Sequence, residues 1–169
     1  MITLLLIRHA LADEHGPNYP DDSLRPLVDK GHQQAAALAE TLSALAINLD
    51  RLFTSPYRRA LETAEPLASC VATGKLEPLE ALADEDYPQL LAELEAQLAD
   101  GAETVALVGH EPYLSELASL LLVGDPQAVE IDFKKAALMV LTGPLAPGQM
   151  SLAMMLPPRV YRRLAKHKG

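Results

Sequence analysis

The chain has 169 residues, of which 49% are hydrophobic and 22% are charged; this is the balance of one folded domain, which we predict over residues 1–169, and not of a disordered chain. The net charge of −9 argues against a nucleic-acid partner, which would require a basic surface. No apolar run reaches the about 20 residues of a membrane span, and the single cysteine, Cys70, has no partner for an internal disulfide, so we expect no membrane partner and a cytoplasmic location.

Apolar runs and helical patterns follow one another along the chain. Short apolar stretches rich in β-branched residues predict buried strands, and longer stretches with a period of 3.6 residues predict helices. In chain order we predict a strand over residues 2–7, a long loop over 13–30, a helix over 31–46, a strand over 51–54, a helix from Ser55-Pro56 to about Ser69, a strand over 75–79, a helix over 87–99, a strand over 104–108, a helix over 112–123, strands over 136–142 and 150–156, and a basic C-terminal helix.

This alternation of strands and helices is typical of a parallel sheet with crossover helices on both faces. The last two predicted strands are separated only by turn residues, Gly143-Pro144 and Pro147-Gly148, so we expect the sheet to be mixed. The sequence therefore predicts an α/β fold, a three-layer α/β/α sandwich with a mostly parallel central sheet.

Polar side chains follow three of the predicted strands. Arg8 and His9 follow the first strand, Ser55 follows the second, and His110 follows the strand over 104–108. Open α/β sheets bind ligands beyond the carboxyl ends of their strands, so we expect His9 and His110 to meet at one edge of the sheet. A single histidine there is explained equally well as a structural group, but two histidines with arginines beside them favour a functional site.

Arg58 and Arg59 lie in the first turns of the helix that begins after Ser55-Pro56. The N-terminus of a helix disfavours cations but binds anions through its free N–H groups. Two arginines at that position are explained if a phosphate group binds among them. A solvated side chain remains the simpler interpretation for Arg58.

Taken together, these motifs resemble the histidine phosphatase superfamily, which is also called phosphoglycerate-mutase-like. Its R-H-G triplet corresponds to Arg8-His9-Ala10, and its late G-H pair corresponds to Gly109-His110. Its S-P-x-x-R-A motif with a following Thr-Ala pair corresponds to residues 55–60 and Thr63-Ala64, which selects Arg59 over Arg58. The motifs occur in the same order and span nearly the whole chain.

Within that superfamily the chain is most similar to the SixA-type phosphohistidine phosphatases. The segment 24–27 followed by Gly31 resembles their R-P-L-T-x-x-G motif, and GHEPYLSELA resembles their G-H-x-P-x-L-S-x-L-A pattern. The chain is also too short for the large helical insertions of other relatives. Two positions depart from the pattern: Ala10 replaces a glycine, and Val28 replaces a threonine and so removes a hydroxyl.

The resemblance implies a phosphatase that forms a covalent phosphohistidine at His9, without a metal or another cofactor. Arg8, Arg59 and His110 would stabilise the phosphoryl oxygens, and Arg25 would bind substrate. The substrate would be a phosphorylated protein, with the phosphoryl group on histidine, or a small phosphorylated molecule. No carboxylate matches a general-acid motif; Glu80 is the first choice, ahead of Asp84, Glu85 and Glu111. A weak or missing acid favours phosphohistidine, because its leaving nitrogen can be protonated by water.

Three alternatives remain open. The first is a small-metabolite phosphomonoesterase or mutase of the same superfamily. The second is a metallohydrolase that uses histidines and nearby carboxylates, although their spacing matches no metal motif; the histidines are His9, His15, His32 and His110. The third is a phosphoprotein-binding module without turnover. Lys134 and Lys135 could line the entrance, but we interpret them as a solvated basic pair.

Overall fold

A six-stranded sheet forms the middle layer of the molecule. The computed structural model describes residues 1–166, and its strands are β1 (Ile2–Arg8), β2 (Arg51–Thr54), β3 (Glu77–Pro78), β4 (Thr104–Gly109), β5 (Leu138–Gly143) and β6 (Ser151–Leu156). Their order across the sheet is β3-β2-β4-β1-β5-β6. β5 runs antiparallel to both of its neighbours, β1 and β6, while the other pairs in the described sheet are parallel, so the prediction of a mostly parallel, mixed sheet is confirmed for this part of the chain.

Helices cover both faces of the sheet. They are α1 (Asp29–Ala44), α2 (Arg58–Ala64), α3 (Ala81–Asp84), α4 (Tyr87–Gln97), α5 (Tyr113–Val123) and α6 (Pro158–Lys166). Buried residues of α1, α2 and α6 form one core with the sheet, and those of α3, α4 and α5 form the other. The three-layer prediction is confirmed. None of the helices within residues 1–166 combines the length and the apolar character that a membrane crossing requires.

Strand β1 is buried on both faces, which explains its unbroken apolar run. Leu4 and Leu6 pack into one core, and Leu5 and Ile7 pack into the other. In the parallel pairing of β1 with β4, Arg8 lies opposite Gly109. This register brings the residues that follow the two strands to the same edge of the sheet.

Several element boundaries differ from the sequence prediction. The helix predicted to begin at Ser55-Pro56 begins at Arg58, with Tyr57 at its N-cap position. Helices α1 and α4 each end two residues earlier than predicted, and β5 covers 138–143 instead of 136–142. The helix predicted to run to Ser69 ends at Ala64 and continues as a 3₁₀ helix over Glu65–Cys70, because Pro66 has no N–H to donate inside an α-helix. The strand predicted over 75–79 forms pairs only at Glu77–Pro78, and the one-turn helix α3 was not predicted. Helix α1 begins at Asp29, two residues earlier than predicted. Beyond residue 166, the predicted C-terminal helix lies outside the described residues.

Candidate active site

His9 and His110 meet at the carboxyl ends of β1 and β4. The two ring centroids are 5.3 Å apart, with a 55° angle between the ring planes. The backbone N–H of His9 donates to the Gly109 carbonyl oxygen at 2.9 Å, which extends the β1–β4 pairing by one residue beyond the strand. The position of the His9 backbone is thus fixed by the sheet itself, independently of the contacts of its side chain.

The imidazole of His9 is neutral, and its tautomer is defined. Its Nδ1 lies 2.8 Å from the Ala10 carbonyl oxygen, which can only accept, so Nδ1 carries the proton and Nε2 carries the lone pair. The residue is 6% exposed. Burial lowers the pKa of His9 to about 3, against the opposing effect of the Ala10 carbonyl and with smaller contributions from His110 and the arginines. A neutral ring with a free Nε2 is the form that can act as a nucleophile.

His110 is buried beside Ser55 and Tyr57. Its Nε2 is 2.7 Å from Ser55 Oγ, and its ring centroid is 5.0 Å from that of Tyr57. Burial, followed by the charge of Arg59, lowers the pKa of His110 to about 4. Its Nδ1 is buried and has no hydrogen-bond partner within residues 1–166.

Arg8 and Arg59 hold their guanidinium groups next to the two histidines, whose pKa values their charges lower. Arg8 Nη1 donates to the Phe133 carbonyl oxygen at 2.9 Å, and Arg59 Nη1 donates to the Asp22 carbonyl oxygen at 2.9 Å. In both arginines Nε is buried and finds no partner among the residues that the structure describes. Each arginine therefore has a buried Nε–H group that is available to donate a hydrogen bond.

Arg58 has different surroundings from Arg59. Its side chain is 56% exposed and its Nε donates to Glu62 at 2.7 Å, one helical turn further along α2. The Arg59 side chain is 7% exposed and lies under the Tyr57 ring, with Cζ 5.0 Å from the ring centroid. The structure thus places Arg59, and not Arg58, at the site.

Arg25 lies beside Arg59 in the loop between β1 and α1. Its Nε donates to Asp22 Oδ1 at 2.9 Å and its Nη1 donates to the Asp13 carbonyl oxygen at 2.8 Å. These contacts bind the loop together, and the substrate contact of Arg25 stays a prediction. Sequence reasoning missed Asp22, which joins the two arginines; an acidic residue three positions before Arg25 was the available signal.

The Thr63-Ala64 pair and Gly31 support the residues after His9. Thr63 Oγ1 accepts from the Ala10 N–H at 2.9 Å and donates to the Arg59 carbonyl oxygen at 2.6 Å, which connects the loop after His9 to α2. Ala10 is fully buried, so the structure accommodates a methyl group where the superfamily has glycine. At Gly31 a Cβ atom would lie 2.0 Å from the Leu11 carbonyl oxygen, so only glycine fits.

None of the four candidate acids is hydrogen-bonded to His9, His110 or the site arginines within residues 1–166. Glu111 accepts from Ser115 N–H at 3.0 Å and from Ser115 Oγ at 2.6 Å, so both of its oxygens serve the first turn of α5. Burial raises the pKa of Glu111, although the Ser115 hydrogen bonds and Arg8 oppose the rise. Glu80, Asp84 and Glu85 are exposed around α3.

Two further histidines and the Lys134-Lys135 pair have contacts of their own in the described chain. His15 lies 3.0 Å from Asp22, and His32 lies 3.8 Å from Glu62. In the described part of the chain, no three histidine, cysteine or acidic side chains are grouped so that they could hold a metal ion. Lys134 pairs with Asp132 at 2.8 Å and is exposed, as predicted. Lys135 is half-buried, and burial and then the charge of Arg8 lower its pKa, so the prediction of a fully solvated pair is wrong for Lys135.

Comparison with known proteins establishes the family. The sequence profile of the histidine phosphatase superfamily (branch 1) matches residues 4–90, which include the first two motifs of the site. The chain belongs to this superfamily, and both its family and its fold support phosphatase activity.

Two relatives and two solved structures are similar to the chain. An uncharacterized protein of Picosynechococcus sp. is 32% identical over 82% of this chain and 83% of its own length. The phosphohistidine phosphatase SixA of Escherichia coli is 28% identical over 62% of this chain and 66% of its own length. A structure of the protein histidine phosphatase SixA complexed with tungstate has a TM-score of 0.80 at 24% identity and covers 94% of this chain and 99% of that chain. A phosphoserine phosphatase of Entamoeba histolytica shares the fold, with a TM-score of 0.66 at 18% identity, and covers 93% of this chain and 98% of that chain.

Proposed function

We propose that the protein is a phosphohistidine phosphatase that works through a covalent phosphohistidine at His9. One observation carries the proposal: a neutral imidazole with a free Nε2 lies among three buried nitrogens that have no partner within residues 1–166, namely Arg8 Nε, Arg59 Nε and His110 Nδ1. The two arginine nitrogens are N–H donors, and buried unpaired donors are costly. A phosphoryl group at this place would accept from the guanidinium N–H groups while its phosphorus faces the nucleophile.

The same residues account for both steps of the reaction. In the first step His9 Nε2 donates its lone pair to phosphorus, and the bond from phosphorus to the leaving group breaks with its electron pair going to that group. Arg8 and Arg59 stabilise the charge on the equatorial oxygens, as phosphoryl transfer requires. In the second step water attacks the phosphohistidine, inorganic phosphate leaves, and the bond electrons return to Nε2.

The positions of the candidate carboxylates support phosphohistidine as the substrate, because none of them is hydrogen-bonded to the site, within the residues that the structure describes, as a general acid would be. Glu111 is engaged with Ser115, and Glu80 is exposed without a hydrogen bond to a site residue in the described chain. An alkyl ester needs a proton on its leaving oxygen, whereas the leaving nitrogen of phosphohistidine is basic enough to take a proton from water. The similarity to SixA of E. coli agrees with this choice. The proposed partner is a phosphorylated protein of the cytoplasm.

A substrate panel tests the proposal. The wild-type protein is incubated with a phosphohistidine-carrying protein, an aryl phosphate and several alkyl phosphates, with and without a chelator, and released phosphate is measured. We expect phosphohistidine to be hydrolysed faster than alkyl esters by about 10²-fold, the contribution of a well-placed general acid. Equal turnover of both classes would refute the substrate assignment, and loss of activity in the chelator would favour a metallohydrolase.

The covalent step has its own test. A labelled substrate is mixed with the protein and quenched in alkali, which preserves phosphohistidine. The label should appear on the wild-type chain and on the control His32→Ala, and it should be absent from His9→Ala. Binding of inorganic phosphate should survive in His9→Ala, because the arginines remain. A wild-type protein that binds phosphopeptides but never releases phosphate would instead be a binding module.

A small-metabolite phosphomonoesterase is the second candidate. The observation in its favour is the shared fold of the E. histolytica phosphoserine phosphatase, which was solved in complex with 3-phosphoglyceric acid. Preference for one phosphorylated metabolite over phosphohistidine in the same panel would select this candidate.

A further inference from the structure

Asp22 connects Arg59 with Arg25 of the neighbouring loop. Its carbonyl oxygen accepts from Arg59 Nη1 at 2.9 Å, and its Oδ2 pairs with Arg59 Nη2 at 3.0 Å. Its Oδ1 accepts from Arg25 Nε at 2.9 Å and from His15 Nδ1 at 3.0 Å. A single acidic residue thus uses its backbone and both carboxylate oxygens on three cationic or basic side chains.

The local sequence explains why Asp22 is fixed. Asp22–Leu24 forms a 3₁₀ turn, and Asp21 caps the turn by accepting from the Ser23 N–H at 3.0 Å. The Asp22 carboxyl is one-third exposed, and the hydrogen bonds from His15 and Arg25 and the charge of Arg59 hold its pKa well below the usual range although burial alone would raise it. The residue is therefore a permanent anion held by its own turn.

Asp22 contacts only one end of the Arg59 guanidinium. Its two acceptors face Nη1 and Nη2, while Nε is buried and has no partner in residues 1–166. We propose that Asp22 is a positioning residue, which holds Arg59 by its Nη end so that Nε is presented to the phosphoryl group above His9. This inference rests on the proposed phosphatase function and adds a residue to it.

The charge of Asp22 makes the proposal distinct from a simple structural role. A fixed anion near the site repels the phosphate dianion in the ground state, so its removal does not weaken phosphate binding and can strengthen it. Loss of a fixed Arg59 orientation, in contrast, weakens the transition state, in which the positions of the equatorial oxygens matter most. The expected signature is a fall in kcat without a loss of phosphate affinity.

The variant Asp22→Asn tests this separation, and Asp21→Asn is its matched control. Both remove one negative charge from the same turn, but Asp21 contacts no arginine in the described chain and an asparagine can still cap. For Asp22→Asn we expect kcat to fall about tenfold or more on both an aryl phosphate and a phosphohistidine protein. The dissociation constant of inorganic phosphate should not rise, and inhibition by orthovanadate, which adopts the five-coordinate geometry, should weaken. Asp21→Asn should leave all three quantities near wild type.

Other outcomes overturn the proposal. Equal effects of Asp21→Asn and Asp22→Asn would show that only charge matters, and an unchanged ratio of vanadate to phosphate affinity would reduce Asp22 to a structural role. If Asp22→Asn does not fold, Asp22→Glu decides: it keeps the charge but displaces the carboxylate, and wild-type kcat in that variant refutes positioning. The variant and the wild type are compared on the same substrate. A preference of the wild type for esters would therefore refute the proposed substrate without affecting the test of Asp22.

Discussion

Arg58 and Arg59 are adjacent in the chain, but only one of them faces the histidines. Arg59 is buried under Tyr57 and bound by Asp22, whereas Arg58 pairs with Glu62 on the surface of α2. A helix turns about 100° per residue, so neighbouring side chains point to different surroundings. The same substitution at Arg58 and at Arg59 therefore compares an exposed arginine with a buried one.

We expect Arg59→Lys to lower kcat by about 10²-fold, the loss seen when a single donor to a developing oxyanion is removed. Lysine keeps the charge but has no Nε and cannot form a fork, so the loss reports geometry and not charge. The matched variant Arg58→Lys should stay within about twofold of wild type, because exposed ion pairs contribute little. Steady-state kinetics on an aryl phosphate measure both variants. Similar losses in the two variants would contradict the placement of Arg59.

The loop between β1 and α1 is the element that shapes the site. It contributes Ala10, Asp22 and Arg25, and two of its contacts, Thr63 to Ala10 and Gln34 to Leu11 at 3.0 Å, attach it to helices. Val28 ends the loop at the N-cap position of α1, where it makes no side-chain hydrogen bond. The loop is therefore well supported near His9 but lacks a cap at its far end.

Val28→Thr should stabilise the protein. The backbone of Val28 is extended (φ −87°, ψ 168°), as an N-cap requires, and threonine has the shape of valine with a hydroxyl that can accept from a free N–H of α1. We expect a gain of about 1 kcal/mol, which raises the Tm of a domain of this size by about 2–4 °C. Differential scanning calorimetry measures it. An unchanged or lower Tm would show that water already satisfies the first turn of α1.

Gly31→Ala should have the opposite effect. Alanine is favoured over glycine inside a helix by about 1 kcal/mol, but here its Cβ would lie 2.0 Å from the Leu11 carbonyl oxygen. Backbone must move to relieve that contact, so we expect a net loss of about 2 kcal/mol or more. Gly16→Ala, in the loop that precedes α1, is the control, since no atom lies within 4 Å of its added Cβ. Urea unfolding and phosphatase activity measure both; equal stability of the two variants would contradict the close approach.

The sequence predicts the strands and helices from their periodicity, and it predicts the residues that follow the strand ends. It does not predict side-chain contacts between segments that are distant in the chain. The apolar runs of β1 and β4 place His9 and His110 at one edge because parallel strands share a direction, and the structure brings them together. The bond between Asp22 and Arg59 joins residues 37 positions apart, and no local pattern encodes it. The early end of α2 was readable in principle, since Pro66 interrupts the helical pattern.

At the scale of the whole molecule, a chain of net charge −9 gathers cations at one edge of its sheet. Arg8 and Arg59 lie there with two histidines that burial keeps neutral. Neutral burial of a histidine couples folding to pH, because the unfolded chain exposes the same ring to water and to protons. The site is thus expected to affect the stability of the entire fold.

Acidification should destabilise the protein through His9 and His110. Their pKa values of about 3 and about 4 lie below the 6.5 of an exposed imidazole, so between pH 6.5 and pH 4 the unfolded chain binds protons that the folded chain does not. Their contribution to stability is complete above pH 6.5 and is lost as the pH falls. We expect the free energy of unfolding to drop by about 1–2 kcal/mol per histidine between pH 7 and pH 5, measured by urea unfolding without phosphate. The double variant His9→Gln/His110→Gln should lose most of this slope, while His32→Gln, which removes a histidine that is 53% exposed, should keep it. A double variant with the wild-type slope would mean that other groups determine the acid sensitivity of the fold.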